Sequence, residues 1–163
     1  TVIMRTIKQF TGLEHRLELV KKIRSIAFYN DSAGTNPVAT AAAILSFKEP
    51  IVLIAGGKDK GFSYTPLGAA LKKSTVQHVV LFGENKEKIA RDIKTAKRTV
   101  TMASDLKDAI AIAFARAKEL ASQKESAVIV FSPAAASFDM FTNYRARGLM
   151  YKKTVHALRQ SIP

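Results

Sequence analysis

The sequence predicts one α/β domain, built on a doubly wound and mostly parallel β-sheet with helices on both faces. The first observation is that short apolar runs, such as residues 51–55, 79–82 and 127–131, alternate along the chain with helical patterns. The second is that these runs are apolar at every position, which is typical of parallel strands buried on both faces. The third is the composition, since 163 residues, of which 47% are hydrophobic and 24% charged, suffice for one hydrophobic core.

The predicted elements follow one another in a regular order. Strands over residues 17–23 and 25–29 come first and are expected to form a hairpin, which gives the sheet an antiparallel edge. The helix over 106–120 has apolar residues at i, i+3 and i+4, so one of its faces should be buried. After the hairpin the pattern predicts, in chain order, a helix over 37–47, a strand over 51–55, a helix over 66–73, a strand over 79–82, a helix over 86–94, a strand over 98–102, a helix over 106–120, a strand over 127–131 and a helix from 139 to the end.

The beginning of the chain has a helical apolar stripe over residues 1–10 and starts with Thr1 rather than Met. Because the helical pattern already begins at the first residue of the chain, we expect a piece excised from a longer protein, with a processed natural start as the alternative. Residues 1–163 are expected to form a single domain, because no linker or repeat interrupts them.

The composition excludes several classes of protein. No cysteine is present, which excludes disulfides, thiolate catalysis and cysteine zinc sites. No apolar run approaches the roughly 20 residues that span a bilayer. No secretory signal occurs at the start of the chain either, so we expect a cytoplasmic protein with no membrane partner.

The charge balance is strongly basic. Lysine and arginine number 26 and acidic residues 13, which gives a formal net charge of +13 and a pI near 10.1. Such a protein should attract anionic partners. Because the basic residues are scattered and form no arginine-rich tail, no nucleic acid is expected, although a basic nucleic-acid-binding module remains an alternative from another functional class.

Four loops follow predicted strands at the edge where open α/β sheets bind ligands: residues 30–37, 56–61, 83–85 and 132–139. Three of them, all except 83–85, combine small residues with hydroxyl or ammonium groups near a helix start, where exposed N–H groups favour anions. Neither the P-loop motif nor G-x-G-x-x-G occurs. The loops therefore predict a site for a small anion, such as a carboxylate or a phosphate, rather than for a whole nucleoside triphosphate.

Structural alternatives exist for the residues in these loops. Asp31 is equally suited to a turn or a cap, and Ser137 or Asp139 to the cap of the last helix. Lys60 is equally suited to a solvated position. His78 and His156 lack the spacing of metal ligands, so no metal site is predicted.

Four motifs occur in one order at the ends of the predicted strands. They are Gly12-Leu13-Glu14-His15-Arg16, Asn30-Asp31-Ser32-x-x-Thr35-Asn36-Pro37, Ala55-Gly56-Gly57-x-Asp59-Lys60-Gly61 and Ser132-Pro133-Ala134-x-Ala136-Ser137-Phe138-Asp139-x-Phe141. In this combination the sequence resembles the C-terminal domain of the Mur ligases over essentially its whole length, and most closely that of the members that add D-glutamate.

The resemblance implies a Rossmann-like domain that binds the incoming amino acid in a three-domain ligase of peptidoglycan precursor synthesis, with UDP-binding and ATPase domains upstream. ATP would phosphorylate the carboxylate of UDP-N-acetylmuramoyl-L-alanine with the assistance of Mg²⁺, and the amine of D-glutamate would attack the acyl phosphate. It also implies that ATP and Mg²⁺ are bound mainly by the central domain and not by this domain alone. The isolated domain is expected to be inactive, and the enzyme to be a monomer.

The resemblance also assigns roles to residues of this sequence. It implies that D-glutamate is bound by Thr35, Lys60, Ser137 and Phe138, with the aromatic ring of Tyr144 nearby. It implies that Arg16, Asp31 and His15 face the nucleotide, and that Ser32, Asn36, Gly56 and Gly57 support the loops. Ala33 stands where the family commonly has a lysine. The alternatives within the ligases are another amino-acid-adding Mur ligase and a folylpolyglutamate synthase-like or cyanophycin-type ligase.

Overall fold

The computed structural model of the protein describes residues 12–159. Its strands are β1 (Glu18–Ile23), β2 (Ile26–Asn30), β3 (Ile51–Gly56), β4 (Val76–Phe82), β5 (Thr99–Met102) and β6 (Ala127–Phe131). Its helices are α1 (Pro37–Leu45), α2 (Thr65–Lys73), α3 (Lys86–Ile93), α4 (Leu106–Lys124) and α5 (Tyr144–Ala157), with a short 3₁₀ turn (Lys94–Ala96) after α3. The helical stripe predicted over residues 1–10 lies outside the described residues, as do residues 160–163.

The strands form one sheet in the order β1-β2-β6-β3-β4-β5. The neighbouring strands in the series β2-β6-β3-β4-β5 are all parallel. Only β1 pairs antiparallel, with Ile23 opposite Ile26 at the hairpin. The predicted fold class, a mostly parallel sheet with an antiparallel edge, is confirmed. The connection through α4 returns along the sheet and inserts β6 between β2 and β3. The loops that follow β2, β6 and β3 are therefore neighbours at the carboxyl edge of the sheet.

Two hydrophobic cores lie on opposite faces of the sheet. One is covered by α1, α2 and α3 and includes Ile44 from α1 and Leu53 from β3. The other is covered by α4 and α5 and includes Ile54 from β3, Ala113 and Tyr151. Successive residues of β3 thus enter different cores, which explains why this strand is apolar at every position. No helix within residues 12–159 combines the length and the apolar character that crossing a bilayer requires.

Helix α1 begins where the sequence supplies a start signal. Asn36 has extended backbone dihedrals, and its side chain accepts a hydrogen bond of 2.9 Å from the N–H of Ala39. Pro37 occupies the first helical position, where its missing N–H costs no hydrogen bond. The cap therefore fixes the point at which the loop after β2 turns into the helix.

Helix α5 begins at Tyr144, five residues later than the start predicted at residue 139. The carbonyl of Ser137 accepts a hydrogen bond from the N–H of Phe141 at 2.9 Å, which forms a separate turn before the helix. The side chain of Asn143 then caps the helix by accepting from the N–H of Ala146 at 2.9 Å. The alternative in which Ser137 or Asp139 caps this helix is therefore wrong.

Candidate functional site

Four loops meet at the carboxyl edge of the sheet. We name them the first loop (residues 31–36), the second loop (57–64), the third loop (83–85) and the fourth loop (132–143), which follow β2, β3, β4 and β6 respectively. All the residues that the resemblance assigns to a ligand lie in these loops, at the start of α5 or just before β1. The topology thus brings the predicted loops to one edge.

Main-chain hydrogen bonds join the fourth loop to its neighbours. The N–H of Ala134 donates to the carbonyl of Gly34 in the first loop at 2.9 Å. On the other side, the N–H of Lys58 in the second loop donates to the carbonyl of Ala136 at 2.9 Å. Backbone groups therefore contribute directly to the relative position of the three loops.

Asn85 joins the third loop to the second. Its side-chain oxygen accepts a hydrogen bond from the N–H of Gly57 at 2.9 Å, and its own N–H donates to the Gly57 carbonyl at 3.1 Å. Its amide nitrogen donates to the hydroxyl of Tyr64, which is buried. Burial raises the pKa of Tyr64 to about 12, against the opposing effect of the Asn85 hydrogen bond, so this phenol stays neutral near pH 7.

Glycine is required at the two positions after the apolar run of β3. Gly56 has φ +124° and Gly57 has φ +155°, a region that side chains with a β-carbon rarely adopt. A β-carbon at Gly56 would collide with the carbonyl of Phe82, and one at Gly57 with the carbonyl of Ala136. These glycines therefore allow β3 to run close to the neighbouring loops.

The structure brings Lys60 and Phe138 together at the surface. The ammonium of Lys60 lies 5.2 Å from the centre of the Phe138 ring, and that ring is 60% exposed. No carboxylate among residues 12–159 lies within ion-pair distance of this ammonium. Lys60 thus presents a cation held over an aromatic face and available to an anion.

Thr35 and Ser137 lie in the two loops that the Gly34–Ala134 hydrogen bond joins. Thr35 is half-buried directly before the cap of α1, whereas Ser137 is buried and forms the turn before α5. Both hydroxyls therefore lie in loops whose mutual position is fixed.

Arg16 and Asp31 line the same cavity, which has a volume of about 360 Å³ and lies between the first loop and α1. Arg16 is exposed, whereas Asp31 is buried. Burial raises the pKa of Asp31, although the hydrogen bonds from Ser132 and Leu17 and the charge of Arg16 act in the opposite direction. This cavity offers one cation and one carboxyl group to a ligand.

His15 lies beneath these groups rather than at the surface. Its ring is 2% exposed, and Nδ1 lies 2.9 Å from the side-chain nitrogen of Asn30. The ring also meets the ring of Tyr144 edge-on, with the centres 6.1 Å apart. The carbonyl of Tyr144 accepts a hydrogen bond of 2.7 Å from the hydroxyl of Ser32. His15 and Ser32 therefore hold the start of α5 against the first loop.

Arg147 in α5 is a residue of this region that the sequence analysis missed. Its side chain is fully buried and donates hydrogen bonds to Ser32 and to the carbonyl of Ala136. Burial lowers the pKa of Arg147 to about 10, and the charge of Asp139 acts in the opposite direction. The available signal was its position on the buried stripe of α5, which also carries Tyr151.

Glu14, His15 and Glu18 form the one cluster within residues 12–159 whose ligand atoms could reach a single metal ion. The ammonium of Lys152 already lies 2.9 Å from Glu14 and 2.6 Å from Glu18. The Nδ1 atom of His15 is occupied by Asn30. These contacts account for the cluster as an ion-pair network that joins β1 to α5.

Comparison with known proteins adds sequence relatives. A family model described as "Mur ligase, glutamate ligase domain" matches residues 15–135. The chain is 43% identical over 159 residues to a protein of Caldicellulosiruptor saccharolyticus named UDP-N-acetylmuramoylalanine–D-glutamate ligase, an alignment that covers 97% of this chain and 34% of the relative. A protein of the same name from Citrifermentans bemidjiense is 44% identical over 151 residues, or 93% of this chain and 32% of the relative. The chain thus spans about a third of the length of these relatives.

Similar folds occur in solved structures. MurF from Acinetobacter baumannii matches with a TM-score of 0.64 and 17% identity, over 93% of this chain and 33% of that one. Folylpolyglutamate synthase from Mycobacterium tuberculosis, complexed with ADP, matches with a TM-score of 0.60 and 17% identity, over 91% of this chain and 33% of that one. At this identity the likeness concerns the fold alone. From the family match across most of its length and the relatives at 43% and 44% identity, we conclude that the chain belongs to the Mur ligase, glutamate ligase domain family.

Proposed function

We propose that this chain is the D-glutamate-binding C-terminal domain of the ATP-dependent ligase that adds D-glutamate to UDP-N-acetylmuramoyl-L-alanine in peptidoglycan precursor synthesis. The relatives named for this activity support the proposal, because they align with 97% and 93% of the chain. The chain spans about a third of their length, so the remaining parts of the reaction belong to the rest of the protein. We expect the whole enzyme to act as a cytoplasmic monomer.

The observation that carries the proposal is the Lys60–Phe138 pair at the meeting point of the loops. D-glutamate has two carboxylates, which require cationic and N–H donors. Lys60 supplies an ammonium without a carboxylate partner among the described residues, and the hydroxyls of Thr35 and Ser137 come from the adjoining loops. Phe138 and Tyr144 supply apolar surface for the carbon chain of the ligand.

The chemical role of this domain is to bind and orient the amine. In the proposed reaction the unprotonated amine nitrogen attacks the carbonyl carbon of the acyl phosphate, the amide C–N bond forms, the C–O bond to phosphate breaks and the proton that the nitrogen loses passes to water. Because attack requires a defined distance and direction, fixed loops raise the rate by positioning the nucleophile.

The nucleotide would meet this domain at the cavity shared by Arg16 and Asp31. An arginine suits a phosphate, and a carboxyl group suits a ribose hydroxyl, so the donor set fits part of ATP. Mg²⁺ finds no comparable set among residues 12–159, because Lys152 already pairs with the clustered carboxylates. We therefore assign the binding of Mg²⁺ and of most of ATP to the rest of the enzyme.

Lys60→Met tests the amino-acid site in the longer protein that carries this chain. We expect the KM for D-glutamate to rise by about tenfold or more, because one charge-assisted contact to a carboxylate is lost. Lys58→Met is the matched control, since the ammonium of Lys58 lies in the same loop but already pairs with Glu84 at 2.6 Å. An unchanged KM in Lys60→Met would contradict the proposed pocket.

A panel of amino acids separates this function from its alternatives. We expect D-glutamate to support ADP release with UDP-N-acetylmuramoyl-L-alanine, whereas L-glutamate, L-lysine and dipeptides should not. Activity with L-glutamate on a folate would favour a folylpolyglutamate synthase-like ligase, and activity with another amino acid a different Mur ligase. The 163-residue chain alone should release no ADP, and robust turnover by it would contradict its assignment as one domain of the enzyme.

Salt-dependent retention of RNA or DNA tests the remaining alternative, a basic nucleic-acid-binding module. The net charge of +13 is the observation that motivates it. We expect no retention at physiological ionic strength, because the proposed partners are small anions.

A further inference from the structure

The guanidinium of Arg147 is a buried positive charge without an acidic partner. Its side chain has no exposed surface, and no carboxylate among residues 12–159 lies within ion-pair distance. Burying a charge without a counter-charge destabilises a fold unless hydrogen bonds compensate. A simple contribution to packing is therefore a poor explanation for an arginine at this position, since an apolar side chain of similar length avoids the cost.

All three nitrogen atoms of the Arg147 guanidinium donate to the loops. Nε donates to the hydroxyl of Ser32 at 3.1 Å, and Nη2 to the carbonyl of Ser32 at 2.9 Å. Nη1 donates to the carbonyl of Ala136 at 3.0 Å. The planar fork thus clamps the first loop to the fourth, although 115 residues separate Arg147 from Ser32.

The same guanidinium also reaches the second loop. A β-carbon at Gly57 would lie 3.0 Å from Nη1, so the guanidinium packs directly against the backbone of that glycine. The carbonyl of Ala136, which accepts from Nη1, also accepts from the N–H of Lys58. One side chain therefore contacts the three loops that carry the residues proposed to bind the amino acid.

We infer that Arg147 is a positioning residue, which sets the spacing of Thr35, Lys60 and Ser137 and thereby the affinity for the amino-acid substrate. The inference rests on the proposed function for the identity of that substrate. Arg147 does not touch the ligand, because its side chain is fully buried. A lysine cannot replace it, since a single ammonium lacks the planar fork that bonds two loops at once.

The inference predicts that stability and substrate affinity respond differently to substitution. Arg147→Met removes a buried charge that has no acidic partner, but it also removes the donor to the carbonyl of Ser32, so its two effects on stability oppose each other. Arg147→Met should therefore keep the fold while the loops lose their clamp. A residue with only a structural role would lower stability and leave the KM of the folded enzyme unchanged.

The test uses steady-state kinetics and thermal unfolding of the longer protein that carries this chain. The amino acid is the one that gives the wild-type protein its highest kcat/KM in the panel above, so a failure of the D-glutamate assignment appears in the wild type before any variant is compared. For Arg147→Met and Arg147→Lys we expect the KM for the amino acid to rise by about tenfold or more, because small displacements of binding groups are costly. The KM for ATP should stay within about twofold, and the melting temperature within about 4 °C, of the wild type.

Arg116→Met is the matched control, because it removes an arginine from the exposed face of α4, far from the loops. It should change neither KM. An unchanged KM for the amino acid in folded Arg147→Met overturns the inference, and so does an equal rise in both KM values. If Arg147→Met does not fold, Arg147→Lys decides in the same way, since it keeps a long cationic side chain but lacks the planar fork.

Discussion

The carboxylate of Asp31 accepts a hydrogen bond of 2.6 Å from the hydroxyl of Ser132, a residue 101 positions further along the chain. The same hydroxyl lies 2.8 Å from that of Thr40 in α1, and the second carboxylate oxygen accepts from the N–H of Leu17 at 3.2 Å. The contact therefore joins the ends of β2 and β6 to α1 and to the segment before β1. Asp31 has a structural role here in addition to its place beside Arg16.

Asp31→Asn should stabilise the fold at neutral pH. Burial raises the pKa of Asp31 above its ordinary value of 3.8. A carboxyl with a raised pKa in the folded state contributes stability below the unfolded-state value, and this contribution is lost as the pH rises through the folded-state value. Asparagine keeps an oxygen for Leu17 and a polar group for Ser132 but does not ionise.

Urea unfolding at a series of pH values measures this effect. We expect the free energy of unfolding of Asp31→Asn to exceed that of the wild type at neutral pH, and the difference to shrink in acid. Glu87→Gln, on the exposed surface of α3, is the control, and its stability difference from the wild type should not follow this pH dependence. A less stable Asp31→Asn at neutral pH would mean that the hydrogen bonds to the charged carboxylate outweigh its burial.

Gly148→Ala should destabilise the protein by about 1–3 kcal/mol, because a β-carbon there would collide with the ring of His15. That ring is held by Asn30 and cannot swing away freely. Gly68→Ala in α2 is the matched comparison, because its β-carbon would make ordinary contacts at 3.4 and 3.5 Å. We expect Gly68→Ala to stabilise the protein by about 0.4–1 kcal/mol, because alanine reduces the conformational entropy of the unfolded chain. Equal effects of the two changes in thermal unfolding would contradict this account.

Lys152→Met should reduce stability at neutral pH and leave it unchanged in acid. Burial raises the pKa of Glu18, but hydrogen bonds from Lys152, His15 and Asn30 outweigh it, so the pKa lies below its ordinary value of 4.5. The stability from this carboxylate is therefore present above 4.5 and is lost as the pH falls through the lowered value. We expect a small effect, since ion pairs near the surface contribute little. Lys153→Met, on exposed surface one residue further, should show no pH trend in the same unfolding experiment.

In the proposed ligase reaction of the longer protein, Arg16→Gln should raise the KM for ATP by about tenfold or more and leave the KM for D-glutamate unchanged, because the proposed charge-assisted contact to a phosphate is lost. The expectation follows from the cavity that Arg16 shares with Asp31, away from the Lys60–Phe138 pair. Arg24→Gln, in the exposed turn between β1 and β2, is the charge-matched control. A rise in the KM for D-glutamate alone would place Arg16 in the amino-acid site instead.

Much of this fold follows from local patterns in the sequence. The apolar run of β3 predicts burial on both faces, and all six residues from Ile51 to Gly56 are buried. The Asn36–Pro37 pair predicts the start of α1. The strand order does not follow from local patterns, because the pairing of β6 with β2 and β3 joins segments far apart in the chain. No local pattern reports such contacts.

One wrong prediction from the sequence and one missed residue have identifiable causes. Phe141 and Tyr144 have helical spacing, so the pattern extended the last helix back to residue 139, whereas the turn at Ser137 precedes a separate cap at Asn143. Arg147 was missed because arginine is normally exposed, and its role depends on carbonyl groups that only the folded chain brings together. The residue types of the loops indicate an anion site, but the clamp that spaces the loops does not appear in any motif.

The main-chain bonds between the loops affect which substitutions this domain can accept. The bonds from Ala134 to Gly34 and from Lys58 to Ala136 use only backbone atoms, so exchanging the side chains of these loop residues removes neither bond. Ala33 illustrates this tolerance, since its N–H bonds the carbonyl of His15 whatever its side chain is. A scaffold of this kind can acquire a preference for a new amino acid through few substitutions, which makes the loop edge a practical starting point for redesigning selectivity.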